Sequence, residues 1–137
     1  MIGIVVVSHG NLARELVDAA EHVVGPHPGI EAVCIGPDDD MEQRRLDILQ
    51  AAQRAGGEAG SVILTDMFGG TPSNLAIGVM EKAGSEVIAG VNLPMLIQIA
   101  PESYRAEVSV ADAAEAAHAA GRKYINVASW VLAGDKG

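Results

Sequence analysis

The chain has little of what would make it a disulfide scaffold, a zinc module, a membrane protein or a nucleic-acid binder. It holds one cysteine, Cys34, in 137 residues, which excludes an internal disulfide and a multi-cysteine metal site. Aromatic residues make up only 3% although nearly half the chain is apolar, so the core has to be built from Val, Ile, Leu and Ala. Basic residues are scarce: 9 Lys and Arg against 18 Asp and Glu give a formal net charge of −9, with no basic cluster. Nucleic acids and anionic membranes are recognised largely through basic patches, so neither is an expected partner. The same charge is compatible with a basic protein partner. No apolar run approaches the roughly 20 residues that span a bilayer. The N-terminus lacks the charged start, apolar stretch and cleavage site of a secretory signal. The expectation is a cytoplasmic protein of one domain, residues 1–137, without direct membrane insertion.

What is present alternates between strand and helix signals. A continuous Ile/Val run at 2–7 reads as a strand buried on both faces, the habit of a central parallel strand. A helical pattern follows from Asn11 and stops at Gly25-Pro26. Further strands are expected at 31–35, 61–65 and 86–90, and further helices at 41–55, 72–84, 94–99 and 110–121. Asp38-Asp39-Asp40 reads as an acidic cap on the second helix, and no metal is assigned to it. Cys34 lies in the second strand as a small apolar residue. Residues 124–132 could prolong the alanine-rich helix or form a fifth strand; their β-branched and aromatic content favours the strand. Strands alternating with helices imply a parallel α/β sheet with right-handed crossovers.

Two segments carry chemistry. His9 follows the first strand, in the turn where open α/β sheets bind ligands. Its charge change falls near neutral pH, which suits a nucleophile, a base or a phosphate acceptor. Asp66 ends the third strand and is followed by Met67-Phe68-Gly69-Gly70-Thr71-Pro72. The two glycines allow close backbone approach, and Thr71-Pro72 reads as a helix start with the hydroxyl at the N-cap and proline at the first helical position. In a doubly wound sheet of order 2-1-3-4 the first and third strands are neighbours, about 4.8 Å apart, so His9 and Asp66 could share a hydrogen bond. The carboxylate would fix one ring nitrogen and sharpen the other as a nucleophile. The helix starts after Gly10 and Gly70 would hold an anion beside it. His22, His27 and His118 lack such surroundings and are expected to be surface or packing residues.

Ser8-His9-Gly10, the stretch from Asp66 to Asn74, and Gly90-Val91-Asn92-Leu93-Pro94-Met95-Leu96 together resemble the IIA component of the mannose-type enzyme II of the bacterial phosphoenolpyruvate:sugar phosphotransferase system. The resemblance covers residues 1–125. It implies a flavodoxin-like sheet with an antiparallel fifth strand exchanged across a homodimer. It also implies that His9 accepts a phosphoryl group from phospho-HPr and passes it to a IIB component. Asp66 would orient the histidine, Thr71, Gly10, Gly69 and Gly70 would surround the phosphate, and no cofactor is needed. The chain ends at Gly137 with no linker and no IIB domain. That keeps a second expectation open, a free-standing regulator whose phosphorylation, a change of about −1.5 to −2 in charge, makes or breaks a docked partner. A nucleotide-binding or hydrolytic domain is disfavoured, since neither a P-loop nor Gly-x-Gly-x-x-Gly occurs.

Overall fold

The computed structural model describes residues 1–134; residues 135–137 of the expected 1–137 domain lie outside the described residues. Four parallel strands form one sheet in the order β2-β1-β3-β4. They are β1 (Gly3–His9), β2 (Ile30–Ile35), β3 (Ser61–Thr65) and β4 (Ser85–Ala89). β1 is paired on both sides, with Val6 opposite Ala32 of β2 and Leu64 of β3. Its residues are buried from Gly3 to Ser8 and emerge only at His9. The sheet order and class are those expected from the alternating pattern.

Helices cover both faces. α1 (Leu12–Val24), α4 (Leu93–Glu102) and α5 (Val110–Lys123) close one core around Ile4, Val6, Leu64, Leu96 and Ile99. α2 (Met41–Gly56) and α3 (Thr71–Val79) close the other around Val5, Val7, Ile48 and Ile63. Successive residues of β1 thus feed opposite cores, which is why its apolar run is unbroken. The aliphatic composition is used fully: Phe68, Tyr104, Tyr124 and Trp130 are all at least half exposed. Alanines let α5 lie close to α4, where a Cβ at Gly121 would come within 2.7 Å of the Met95 Sδ-bound methyl. Asn92 locks that approach, accepting from Met95 N–H (3.1 Å) and donating to Gly121 O (2.9 Å). Asp40 caps α2 as expected, accepting from Glu42 N–H at 3.0 Å and Gln43 N–H at 3.4 Å.

Three expectations are corrected. Residues 124–132 do not form a fifth strand; they lead into a short helix, α6 (Ala128–Leu132). A strand needs a ladder partner, and here the backbone bonds locally instead, with Trp130 and Val131 N–H both donating to Val127 O. α3 ends at Val79 rather than near Gly84, because Ser85 N–H turns back to Met80 O (2.9 Å) as the chain enters β4. α4 is longer than the expected 94–99, since Asn92 caps it and Pro101 falls only in its last turn.

At the far end of the sheet from His9, His27 is a packing residue with a defined tautomer. Its ring is buried against Tyr104, with centroids 4.5 Å apart. Nδ1 accepts the Gly29 N–H at 3.0 Å, so Nε2 carries the proton and faces Ala100 O (2.9 Å) and Ser103 Oγ (2.7 Å). That tautomer also denies Ser103 a base, so the pair is no nucleophile. Burial is the largest influence on His27 and holds its pKa below the ordinary value, against the opposing pull of Ala100 O and the Glu21 carboxylate. The neutral ring is therefore the folded form. Its contribution to stability is present above the unfolded pKa of about 6.5 and is lost as pH falls through the lower folded value. His27→Ala should cost about 1–3 kcal/mol at pH 7.5 in urea unfolding. It should also flatten the decline of stability below pH 6.5; an unchanged acid decline would contradict this role.

Candidate functional site

The candidate site lies where β1 and β3 end side by side. Val7 and Thr65 are the last paired residues of the two strands. Asp66 follows Thr65 directly, and its Oδ2 accepts both the backbone N–H of His9 (2.9 Å) and the ring Nδ1 of His9 (2.8 Å). Oδ1 accepts the Met67 N–H at 3.0 Å, so both carboxylate oxygens are engaged. The Asp66 side chain is 12% exposed and that of His9 is 51% exposed. Burial is the largest single influence on Asp66 and opposes its ionisation. The His9 N–H, the His9 ring and the Met67 N–H together outweigh it and hold the carboxyl below its ordinary pKa. An ionised Asp66 takes the Nδ1 proton as its hydrogen-bond donor. The lone pair of the imidazole is then on Nε2, the nitrogen open to a reactant.

Gly70 supplies the wall on which the ring rests. A Cβ there would lie 2.8 Å from His9 Cε1 and 3.3 Å from Nε2, so any larger residue would force the ring to shift. This is a matter of space, since Gly70 has φ −95° and ψ 173°, open to any residue. The N-cap of α3 is Gly70, not Thr71 as expected: its extended conformation lets its carbonyl accept the Asn74 N–H (3.0 Å) as the first helical bond. Thr71 and Pro72 move to the first and second helical positions. Thr71, free of capping duty, lines a cavity of about 170 Å³ with His9, Gly10, Ile35, Gly36, Pro37 and Met41. The N–H groups of Gly70 and Thr71 open the helix, where no intrahelical carbonyl reaches them, and they carry the positive end of its dipole.

All six sequence-derived residues therefore converge, but not in equal capacity. Gly10 (φ 55°) and Gly69 (φ 88°) make left-handed turns. Their N–H groups are already committed, Gly10 to Ile35 O (2.8 Å) and Gly69 to Ser73 Oγ (3.0 Å). They shape the loops, while Gly70 and Thr71 present the open donors. The third motif lies outside the cavity: Gly90 and Val91 N–H both donate to Thr65 O at 2.9 Å, bracing the strand end that carries Asp66. Sequence reasoning missed Ser8 and Ser73. The buried Ser8 Oγ accepts the Ala13 N–H (2.6 Å) and so caps α1 in place of Asn11, whose side chain makes no capping bond. A serine flanking each loop was the available signal. It also missed Phe68, which stands 75% exposed on the loop beside the site.

The fold and site together are those of a doubly wound α/β domain with a carboxylate-held, solvent-open histidine at its switch point. The family model EIIA-man, described as the PTS system fructose IIA component, matches residues 3–118. The chain belongs to this family of phosphotransferase-system components. It is 32% identical over 107 residues to the sorbose-specific EIIA component of Lacticaseibacillus casei, covering 77% of each chain. It is 33% identical over 98 residues to the mannose-specific EIIAB component of Escherichia coli K12, covering 71% of this chain and 30% of that protein. In fold it is similar to the phosphotransferase component EIIA of Streptococcus agalactiae, with a TM-score of 0.79 at 24% identity over 94% of this chain and 98% of that one. Among the described residues no helix is long and apolar enough to cross a membrane.

The geometry makes Gly70→Ala a sharp probe. The added methyl should push the ring off Asp66 and cost about 1–3 kcal/mol of overpacking. Nitrogen-15 NMR of the His9 ring, with urea unfolding, reads both effects. Wild-type ring shifts in a normally stable variant would contradict the contact.

Proposed function

We propose that the chain is a cytoplasmic phosphohistidine carrier, acting as one IIA-type domain, in which His9 Nε2 accepts a phosphoryl group from phospho-HPr and passes it to a IIB component. The observation that carries this reading is the hold of Asp66 Oδ2 on Nδ1, which leaves Nε2 as the nucleophile beside the opening of α3. In the forward step the Nε2 lone pair forms the new N–P bond. The P–N bond of the donor phosphohistidine breaks, and its electron pair returns to the donor ring. His9 gains positive charge, and the ionised Asp66 on Nδ1–H offsets it. The Gly70 and Thr71 N–H groups and the Thr71 hydroxyl are the donors for the phosphoryl oxygens. They are set before the reaction, which is how such transfers are accelerated. Transfer onward to the acceptor runs the same step in reverse.

Incubation with phosphoenolpyruvate, enzyme I and HPr should give an acid-labile phosphoprotein. His9→Ala should take no label, and Asp66→Asn should be labelled about 10²-fold or more slowly with the fold retained. Label that persists in His9→Ala would overturn the assignment.

The reading includes a homodimer. Ile125, Val127, Trp130, Val131 and Leu132 are 43–88% exposed around α6, a run of apolar surface that association would cover. Sedimentation should give a dimer that Trp130→Glu with Leu132→Asp shifts to monomer. A wild-type monomer at micromolar concentration would contradict it.

A further inference from the structure

We propose that Ser73 is a positioning residue for His9, setting the distance between Nε2 and the donors that open α3; this rests on the carrier reading above. Ser73 is fully buried and lies three residues into α3 from its Gly70 cap. Its Oγ accepts the Gly69 N–H at 3.0 Å and donates to Gly70 O at 3.0 Å. One hydroxyl therefore bridges both residues of the glycine pair. The pair needs such a strut. Gly69 is left-handed at φ 88°, and glycine backbone is the most costly in entropy to hold in one conformation.

Two consequences reach the reacting nitrogen. Gly70 is the wall against the His9 ring, so whatever holds its carbonyl also holds the surface on which Cε1 and Nε2 rest. Occupying the Gly69 N–H also commits that donor within the loop, so the donors that open α3 are those left for incoming oxygens. Without the hydroxyl the Gly69 N–H is free to compete for them, and the turn is free to drift. Displacements of about 1 Å in such constellations cost on the order of 10²-fold in rate. Ser73 touches neither the reactant nor any surface that a protein donor could reach, so its effect is on the transfer step and not on docking.

The experiment compares Ser73→Ala with Ser61→Ala. Ser61 is an equally buried serine at the opposite end of β3, hydrogen-bonded to Ser85 Oγ at 2.6 Å, and serves as the control for loss of a buried hydroxyl. With phospho-HPr as the donor, and rates taken per folded molecule, Ser73→Ala should lower kcat for His9 phosphorylation by about 10- to 100-fold with KM for phospho-HPr unchanged. Ser61→Ala should leave both constants at the wild-type values. Hydrogen exchange should show a protected Gly69 amide in the wild type and a freely exchanging one in Ser73→Ala, with the His9 ring nitrogens shifted. Equal loss of kcat in the two variants, or a change confined to KM, would overturn the positioning role. A wild-type chain that takes no label would overturn the carrier reading instead; the Gly69 amide and His9 ring shifts would still test the strut, and wild-type values in Ser73→Ala would overturn it.

Discussion

One carboxylate oxygen organises the site: Asp66 Oδ2 accepts the backbone N–H and the ring Nδ1–H of the same residue, His9. The first bond fixes where the histidine leaves the sheet, and the second fixes how its ring is turned and which nitrogen stays basic. Because both converge on one oxygen, backbone and side chain cannot be adjusted separately. Everything nearby serves to keep that oxygen in place. The two hydrogen bonds from Gly90 and Val91 N–H to Thr65 O brace the residue before Asp66, and the Met67 N–H occupies the sister oxygen Oδ1.

The fold makes the convergence cheap. β1 and β3 are adjacent only because the chain crosses the sheet to β2 on one face and returns on the other. At that reversal the loops after β1 and β3 diverge, leaving room between them. The strands that carry His9 and Asp66 are buried on both faces, so their ends are rigid platforms. The donors at the opening are backbone amides and a hydroxyl, in a protein whose formal net charge is −9. The positive end of α3 is thus a short-range feature set against the negative charge of the whole molecule.

The sheet was legible because the unbroken run at 2–7 and the helical patterns between the strands each follow from burial periodicity. The His9–Asp66 pair was legible one step further on, because strand order places two strand ends together. Local propensity failed at two places where distant contacts decide the outcome. Tyr124 to Leu132 is rich in β-formers, but a strand is specified by its partner, and the single chain offers none that it uses. Thr71-Pro72 looked like cap and first turn. The cap moved to Gly70 because that backbone is extended to lie against the His9 ring, a contact 61 residues away in sequence that no local pattern encodes. A serine flanks each loop, but the roles of Ser8 and Ser73 could not be read locally for the same reason: each hydroxyl bonds backbone groups whose positions depend on the finished turn.

The most direct test of the account is the position of the phosphate on the ring. Phosphorus–nitrogen correlation NMR of the phosphorylated chain, labelled with nitrogen-15 in histidine, distinguishes the two nitrogens. The expected result is a single phosphohistidine, His9, bonded through Nε2, with Nδ1 protonated toward Asp66. A phosphoryl group on Nδ1 of His9, or on another histidine, would contradict the central claim that Asp66 selects the reacting nitrogen.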